Sequence, residues 1–291
     1  MKYFGEGLSE KHKELSRIIR KPSMLEQAAQ LFLEIHASLH LSRISGTQPN
    51  EVDALLSDLT DSEYAVMPSG RDETIAWVLW HIARIEDLTM GILAAKGNQL
   101  FNEEWQKRLN VSITDTGNAL TDDEIMLLSK NINTAELISY RNAVGERTRK
   151  IVRELDSEAL KRKVSCEDIA RIRQEGGVTQ QEESAWLLDF WGKKDVAGLL
   201  LMPPTRHVML LSLIHISQLP KEEPAVITEE PEPGYPEEDD MESAQELYRR
   251  HAENVNRSII TAQERIARLL EELQLDTASD EKTPGQTAPE Q

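Results

Sequence analysis

The sequence predicts an all-α protein. Apolar residues recur three and four positions apart in segment after segment, as one face of a helix requires. No run alternates apolar and polar residues in the manner of a half-buried strand. Helix punctuation separates the segments: Pro22, Gly97 and Pro220 act as stops, and Thr121-Asp-Asp-Glu124 is a capping box.

The elements follow in order. Leu8 to Arg20 reads as a short helix stopped by Pro22, with Ser23 as N-cap of a helix to about Arg43. Leu25, Ala28, Phe32, Ile35 and Leu39 give that helix its apolar stripe. After the break Ser45-Gly-Thr-Gln-Pro49, a second short helix covers about Pro49 to Leu59. The next helix opens at Ser69-Gly70, where Asp72 and Glu73 suit its positive end, and stops at Gly97. Its inward face carries Thr74, Val78, His81, Ile85 and Leu88, flanked by Trp77 and Trp80. Asn98 to Gly117 is irregular around a short amphipathic piece holding Trp105. The capping box starts a small helix, and Asn133 or Thr134 starts a long one reaching Leu155 through Leu137, Tyr140, Val144, Thr148 and Ile151. Beyond Gly176-Gly177, an aromatic helix contains Trp186, Leu187, Phe190 and Trp191. A helix from Asp195 reaches Met202, where Pro203-Pro204 must kink or restart it, and Arg206 to Gln218 completes it.

These elements divide the chain into an N-terminal extension (1–22), a helical bundle (23–220), an acidic linker (221–240), an amphipathic helix (241–275) and a tail (276–291). The linker holds Pro224, Pro231, Pro233 and Pro236 among nine acids, a composition that favours disorder, as does that of the tail. In the C-terminal helix Val255, Ile259, Ala262, Ile266, Leu269 and Leu273 make a short heptad seam. Residues 247–273 are therefore expected to serve self-association or docking on a protein partner, or to pack back on the bundle.

The net charge of −18 is unevenly spread. Lys221 to Gln291 carries 19 acidic and 7 basic residues, and the preceding part 32 acidic and 26 basic. Without a dense basic face, nucleic-acid binding is not expected. The lone cysteine, Cys166, excludes an intramolecular disulfide and a CxxC site. No run of about 18 apolar residues offers a membrane span, and the first residues lack the apolar core of a signal peptide. The expectation is a cytoplasmic protein.

The histidines carry whatever chemistry the sequence offers. His36 and His40 are four apart on one helical face, so they could share an ion or sit at the edge of the core. His81 replaces an apolar residue in mid-stripe, and His207 stands similarly on a stripe with Leu211, Ile214 and Gln218. Each is either a hydrogen-bonded core residue or a metal ligand. His215 lies eight residues beyond His207, about 12 Å along a helix, too far for both to hold one ion. Arg206 could orient an anionic substrate or pair with Glu86 or Asp87. Glu34, Glu86 and Asp87 are the acids nearest in sequence to the histidines and could complete a coordination shell.

Four stretches resemble the DinB-like superfamily of metal-binding four-helix bundles: Ile75-Ala-Trp-Val-Leu-Trp-His-Ile-Ala-Arg-Ile-Glu-Asp-Leu-Thr-Met90, Asp115-Thr-Gly-Asn118, Tyr140-Arg-Asn-Ala-Val-Gly-Glu-Arg-Thr-Arg149 and Leu199-Leu-Leu-Met-Pro-Pro-Thr-Arg-His207. The likeness covers roughly Ser23 to Leu219. It implies up-down-down-up connectivity and a divalent ion, zinc, nickel or similar, held by three histidines. One comes from the second helix and matches His81; two come from the last helix as His-x-x-x-His, of which the first matches His207. The second falls on Leu211, so the three-histidine site is incomplete. His40 is the first substitute ligand to test; His215 comes one turn late unless the register shifts after Pro204. Several members of this stress-associated family are thiol-dependent transferases or isomerases. The resemblance therefore implies a metal-dependent thiol transferase or hydrolase, with Arg206 orienting substrate. The alternative is a non-catalytic bundle that lost its ion and works as an interaction protein through its acidic linker and C-terminal helix.

Overall fold

A computed structural model describes residues 7–57, 59–67 and 73–211. His215, the acidic linker and the heptad segment lie outside the described residues. The helices are α1 (Leu8–Ile18), α2 (Leu25–Ser38), α3 (Glu51–Ser57), α4 (Asp61–Tyr64), α5 (Ile75–Glu86), α6 (Glu103–Leu109), α7 (Asp122–Asn131), α8 (Thr134–Glu154), α9 (Ser157–Lys161), α10 (Cys166–Gln174), α11 (Glu182–Gly192) and α12 (Val196–Leu201). Among the described residues the β-type pairing is confined to an isolated bridge between Lys163 and Asp195. No helix among them is long and apolar enough to cross a membrane.

The fold is an all-α bundle organised around α5, every residue of which is buried. This helix packs against α8, α7, α4 and the Met202–His207 segment, and its polar residues His81, Arg84 and Glu86 are buried with the rest. The helix starts later than Ser69-Gly70. Thr74, expected on its inward face, is the N-cap and accepts from the Trp77 amide, while also bonding Ser129 at 2.6 Å. The capping box at Thr121 and Glu124 forms as expected, and Asn133 caps α8.

Two segments depart from α geometry. Asp87–Ala94 continues α5 as a π-helix, and Met202–His207 continues α12 in the same way. The second answers the proline pair. Pro204 has no N–H for the carbonyl of Leu200, and the Thr205 hydroxyl donates to that oxygen at 2.8 Å instead. The helix therefore neither stops nor restarts; it widens and runs on to Leu211.

The main core lies between α1, α2, α5, α7, α8 and α12, with Phe32, Trp80 and Leu137 among its wholly buried members. A second cluster of Ile85, Leu88, Ile92, Ile172, Leu188 and Trp191 seats α10 and α11 on the π segment after α5. The short helices α4, α9 and α10 fall in stretches that carry no sequence stripe long enough to mark them. Cys166 is exposed at the first position of α10.

Candidate metal centre

α2 ends at Ser38, and the chain turns through Leu39, so His40 lies just beyond the helix rather than on it. The turn is held by Asn50, whose side-chain amide donates to the carbonyls of Ala37 at 2.9 Å and His40 at 2.8 Å. Bent this way, the His40 ring stacks on that of His36, with centroids 4.2 Å apart. Both rings are wholly buried, deeper than the edge position their sequence stripe suggests. Gly145 of α8 makes the depth attainable. A Cβ there would lie 2.7 Å from His40 Nδ1 and 2.8 Å from Ile44 Cδ1, so only glycine lets the ring rest on the helix backbone.

The last residue of α5, Glu86, completes the group. Its Oε1 lies 3.0 Å from His36 Nε2 and its Oε2 3.2 Å from His40 Nε2. The three residues offer ligand atoms that all fall within 4.8 Å of one another, and all three are buried. Among the described residues, this is the set in which three side chains of metal-binding type converge.

Burial pushes the His40 imidazole down from 6.5 to about 3, with His36 adding to the effect and Glu86 opposing it. His40 is thus neutral at pH 7. Burial alone would raise the Glu86 carboxyl, but the imidazoles of His40 and His36 and their hydrogen bonds hold it well below the ordinary carboxylate range. A carboxylate accepting one N–H from each ring satisfies both its oxygens. Among the described residues, it leaves Nδ1 of His36 and of His40 as buried atoms without a hydrogen-bond partner. Arg141 supplies the compensating charge. Burial lowers its guanidinium to about 10 and Glu86 opposes that, so it stays protonated. Arg141 is anchored by Nη2, which donates to Leu39 O at 2.6 Å.

Two imidazoles and a carboxylate are a donor set suited to zinc or a similar divalent ion. To bind through Nε2, each ring would carry its proton on Nδ1. The donors therefore fit a metal.

His81 and His207 are brought together elsewhere. Their ring centroids lie 5.1 Å apart, and both side chains are buried. Four residues of α5 at helical spacing reach the carbonyls of one loop: Trp77 to Gly117 O at 3.0 Å, Trp80 to Asp115 O at 3.0 Å, His81 Nδ1 to Thr116 O at 2.8 Å and Arg84 to Thr114 O at 2.7 Å. His81 thus donates from Nδ1 and stacks on Trp77, with centroids 4.7 Å apart. Burial lowers its imidazole to about 4, the Thr116 bond opposing, and burial with His81 alongside holds His207 well below its ordinary value.

A three-ligand centre does not assemble around this pair from His, Cys, Asp or Glu side chains among the described residues. Leu211 is buried in the apolar core, and His40 belongs to the group with His36 and Glu86. Two imidazoles alone do not fit the three-histidine ion that the resemblance implies. Arg206 is half-buried, and among the described residues it forms no ion pair with Glu86 or Asp87. Asp87 is occupied: it accepts from the amides of Leu100 and Phe101, from Tyr140 and from Arg84. The spacing of His36 and His40 was the signal for the centre, and Glu86 the acid in reach; their convergence was not visible in sequence.

Residues 46–174 match the family model described as the DinB superfamily. The matched stretch contains His81 and Glu86, begins after His40 and ends before His207. No curated protein matches the chain.

Proposed function

We propose that the chain, whose residues 46–174 match the DinB superfamily model, is a divalent-metal-binding bundle whose ion is held by His36, His40 and Glu86. Among the described residues the three-histidine position holds His81 and His207, and in this reading the ion sits instead at a site built between α2 and α5. The observation that carries this reading is the convergence of three buried donors whose ligand atoms lie within 4.8 Å of one another. The chemistry such an ion supplies is activation of a thiol or water at the coordination position that three protein donors leave open. The finer reading is a metal-dependent transferase or hydrolase of the thiol-using kind. The protein's own part is to keep the His40 imidazole neutral, to hold the Glu86 carboxylate ionised and to exclude bulk water from all three side chains.

Calorimetric titration of untagged protein with zinc tests the assignment. Wild type and His81→Ala should each bind one equivalent, and His36→Ala should lose at least a hundredfold in affinity, on the order of 3 kcal/mol. Loss in His81→Ala with retention in His36→Ala would move the ion to the other pair and overturn the proposal.

A further inference from the structure

Basic residues that lie in separate stretches of the sequence meet at one end of the bundle. The stretches 17–26, 150–163 and 193–200 carry ten basic and five acidic residues, in a chain whose net charge is −18. Backbone bonds join two of them: Val164 N donates to Lys194 O at 3.1 Å, and Val196 N to Arg162 O at 3.0 Å. From the end of α1, Arg20 reaches the Asp195 carboxylate at 2.8 Å. A base at a helix C-terminus is ordinary. Here the ends of α1, α8 and α9 line one recess, so their bases add up.

Most acids of this end are already engaged. Asp195 pairs with Arg20 and caps α12, Asp156 caps α9, and Glu158 pairs with Lys161 at 2.8 Å. Glu26 and Glu154 are left to face the remaining bases. Lys21, Arg153 and Lys163 are exposed, and among the described residues Lys21 and Arg153 form no ion pair. Burial first, and then Arg153, lower the Arg149 guanidinium, so like charges crowd here.

The recess between these bases encloses about 240 Å³, counting the part open to solvent. Its lining is aliphatic throughout: Ile19, Val152, Leu160 and Leu200 are buried, and Leu25 and Leu155 are half-buried. Arg20, Arg153 and Lys161 each follow a lining residue in the chain.

We propose that this end of the bundle is a docking surface for an acidic segment of a protein partner, in which one aliphatic residue stands between carboxylates. The aliphatic side chain enters the recess, and the carboxylates pair with Lys21, Arg153 and Lys163. Charge complementarity and the shape of the apolar part select this occupant. The apolar groups are recessed among cations rather than protruding, which does not suit insertion into a membrane surface. No lining residue is aromatic, so the recess offers no platform on which a nucleic-acid base would stack.

Fluorescence anisotropy of the full chain with a labelled peptide tests this, the peptide holding one isoleucine between two pairs of glutamates. It should bind, and the affinity should fall about tenfold as salt rises from about 50 to about 300 mM. A peptide with serine in place of the isoleucine should bind about tenfold more weakly. Arg153→Glu combined with Lys163→Glu should lower affinity at least about tenfold. Ala29→Leu, at a half-buried wall of the recess, should erase the difference between the two peptides and keep the salt dependence. No binding at low salt would overturn the docking surface, and equal affinity of the two peptides for the wild type would overturn the role of the recess. Equal or tighter binding of a single-stranded DNA oligomer, or of phosphatidylcholine vesicles with roughly one-fifth phosphatidylserine, would overturn the peptide as occupant. Self-association of the chain that the peptide displaces would give the surface to a second copy and overturn the separate partner. The comparison of the two peptides on the wild type decides the question even if a variant fails to fold.

Discussion

Acid should destabilise this protein well above the carboxylate range, because its core imidazoles are neutral when folded. In the unfolded chain His81 and His40 titrate near 6.5; in the folded protein burial lowers them to about 4 and about 3. Their folded-state pKa values are depressed, so their contribution is fully present above 6.5 and is lost as pH falls towards the folded values. At pH 5 nearly every unfolded chain has taken up a proton at each position and the folded protein at almost none. That favours the unfolded state by about 2 kcal/mol per histidine, or about 4 kcal/mol for the two, before His207 adds its share. Against a typical stability of about 5–15 kcal/mol the loss is large. Urea unfolding of the metal-free protein from pH 8 to pH 5 measures it. His81→Leu should unfold with a shallower pH slope, reduced by about 1.2 kcal/mol per pH unit between pH 6 and 5, whatever its stability at pH 8. Equal stability at pH 8 and 5, or a slope unchanged by the substitution, would refute the claim that these rings are buried and neutral.

Three further outcomes follow from the geometry. Gly145→Ala should gain about 1 kcal/mol in helix preference but lose about 1–3 kcal/mol to overpacking against His40 and Ile44. Thermal melting should show net destabilisation, and zinc affinity should fall because the His40 ring is displaced. Asn50→Ala should cost about 1–3 kcal/mol in denaturant unfolding and weaken zinc binding, since the turn presenting His40 loses both side-chain bonds. Leu211→His should add a third imidazole to His81 and His207, so that zinc titration reads a second equivalent in place of one.

Much of the architecture could be read from residue spacing alone. The stripes of α5 and α8 are long, and the caps at Thr121 and Asn133 are built from residues adjacent in sequence. The π segments were not legible, because the widening at Asp87–Ala94 is a choice of backbone pairing that composition does not encode. At Met202–His207 the prolines announced a disturbance, but the Thr205 hydroxyl that resolves it gives no pattern of its own. The candidate metal centre shows the same division. A four-residue spacing named His36 and His40. Their depth depends on Gly145, and their third partner on where α5 happens to end, both long-range matters. His81 stood out in sequence because it interrupts an apolar face. The structure gives it a place in the ladder to the Thr114–Gly117 carbonyls, and brings it next to His207 with no three-donor His, Cys, Asp or Glu group around the pair among the described residues.

The decisive measurement is elemental analysis of untagged protein, wild type and Glu86→Gln side by side. A glutamine can still accept from one imidazole and donate to the other, so the bundle should fold with both rings in place while the centre loses its anionic ligand. The account requires about one equivalent of divalent metal per wild-type chain and almost none in the variant. Metal-free wild type after growth in zinc-supplemented medium, or the same metal content in both proteins, would contradict it.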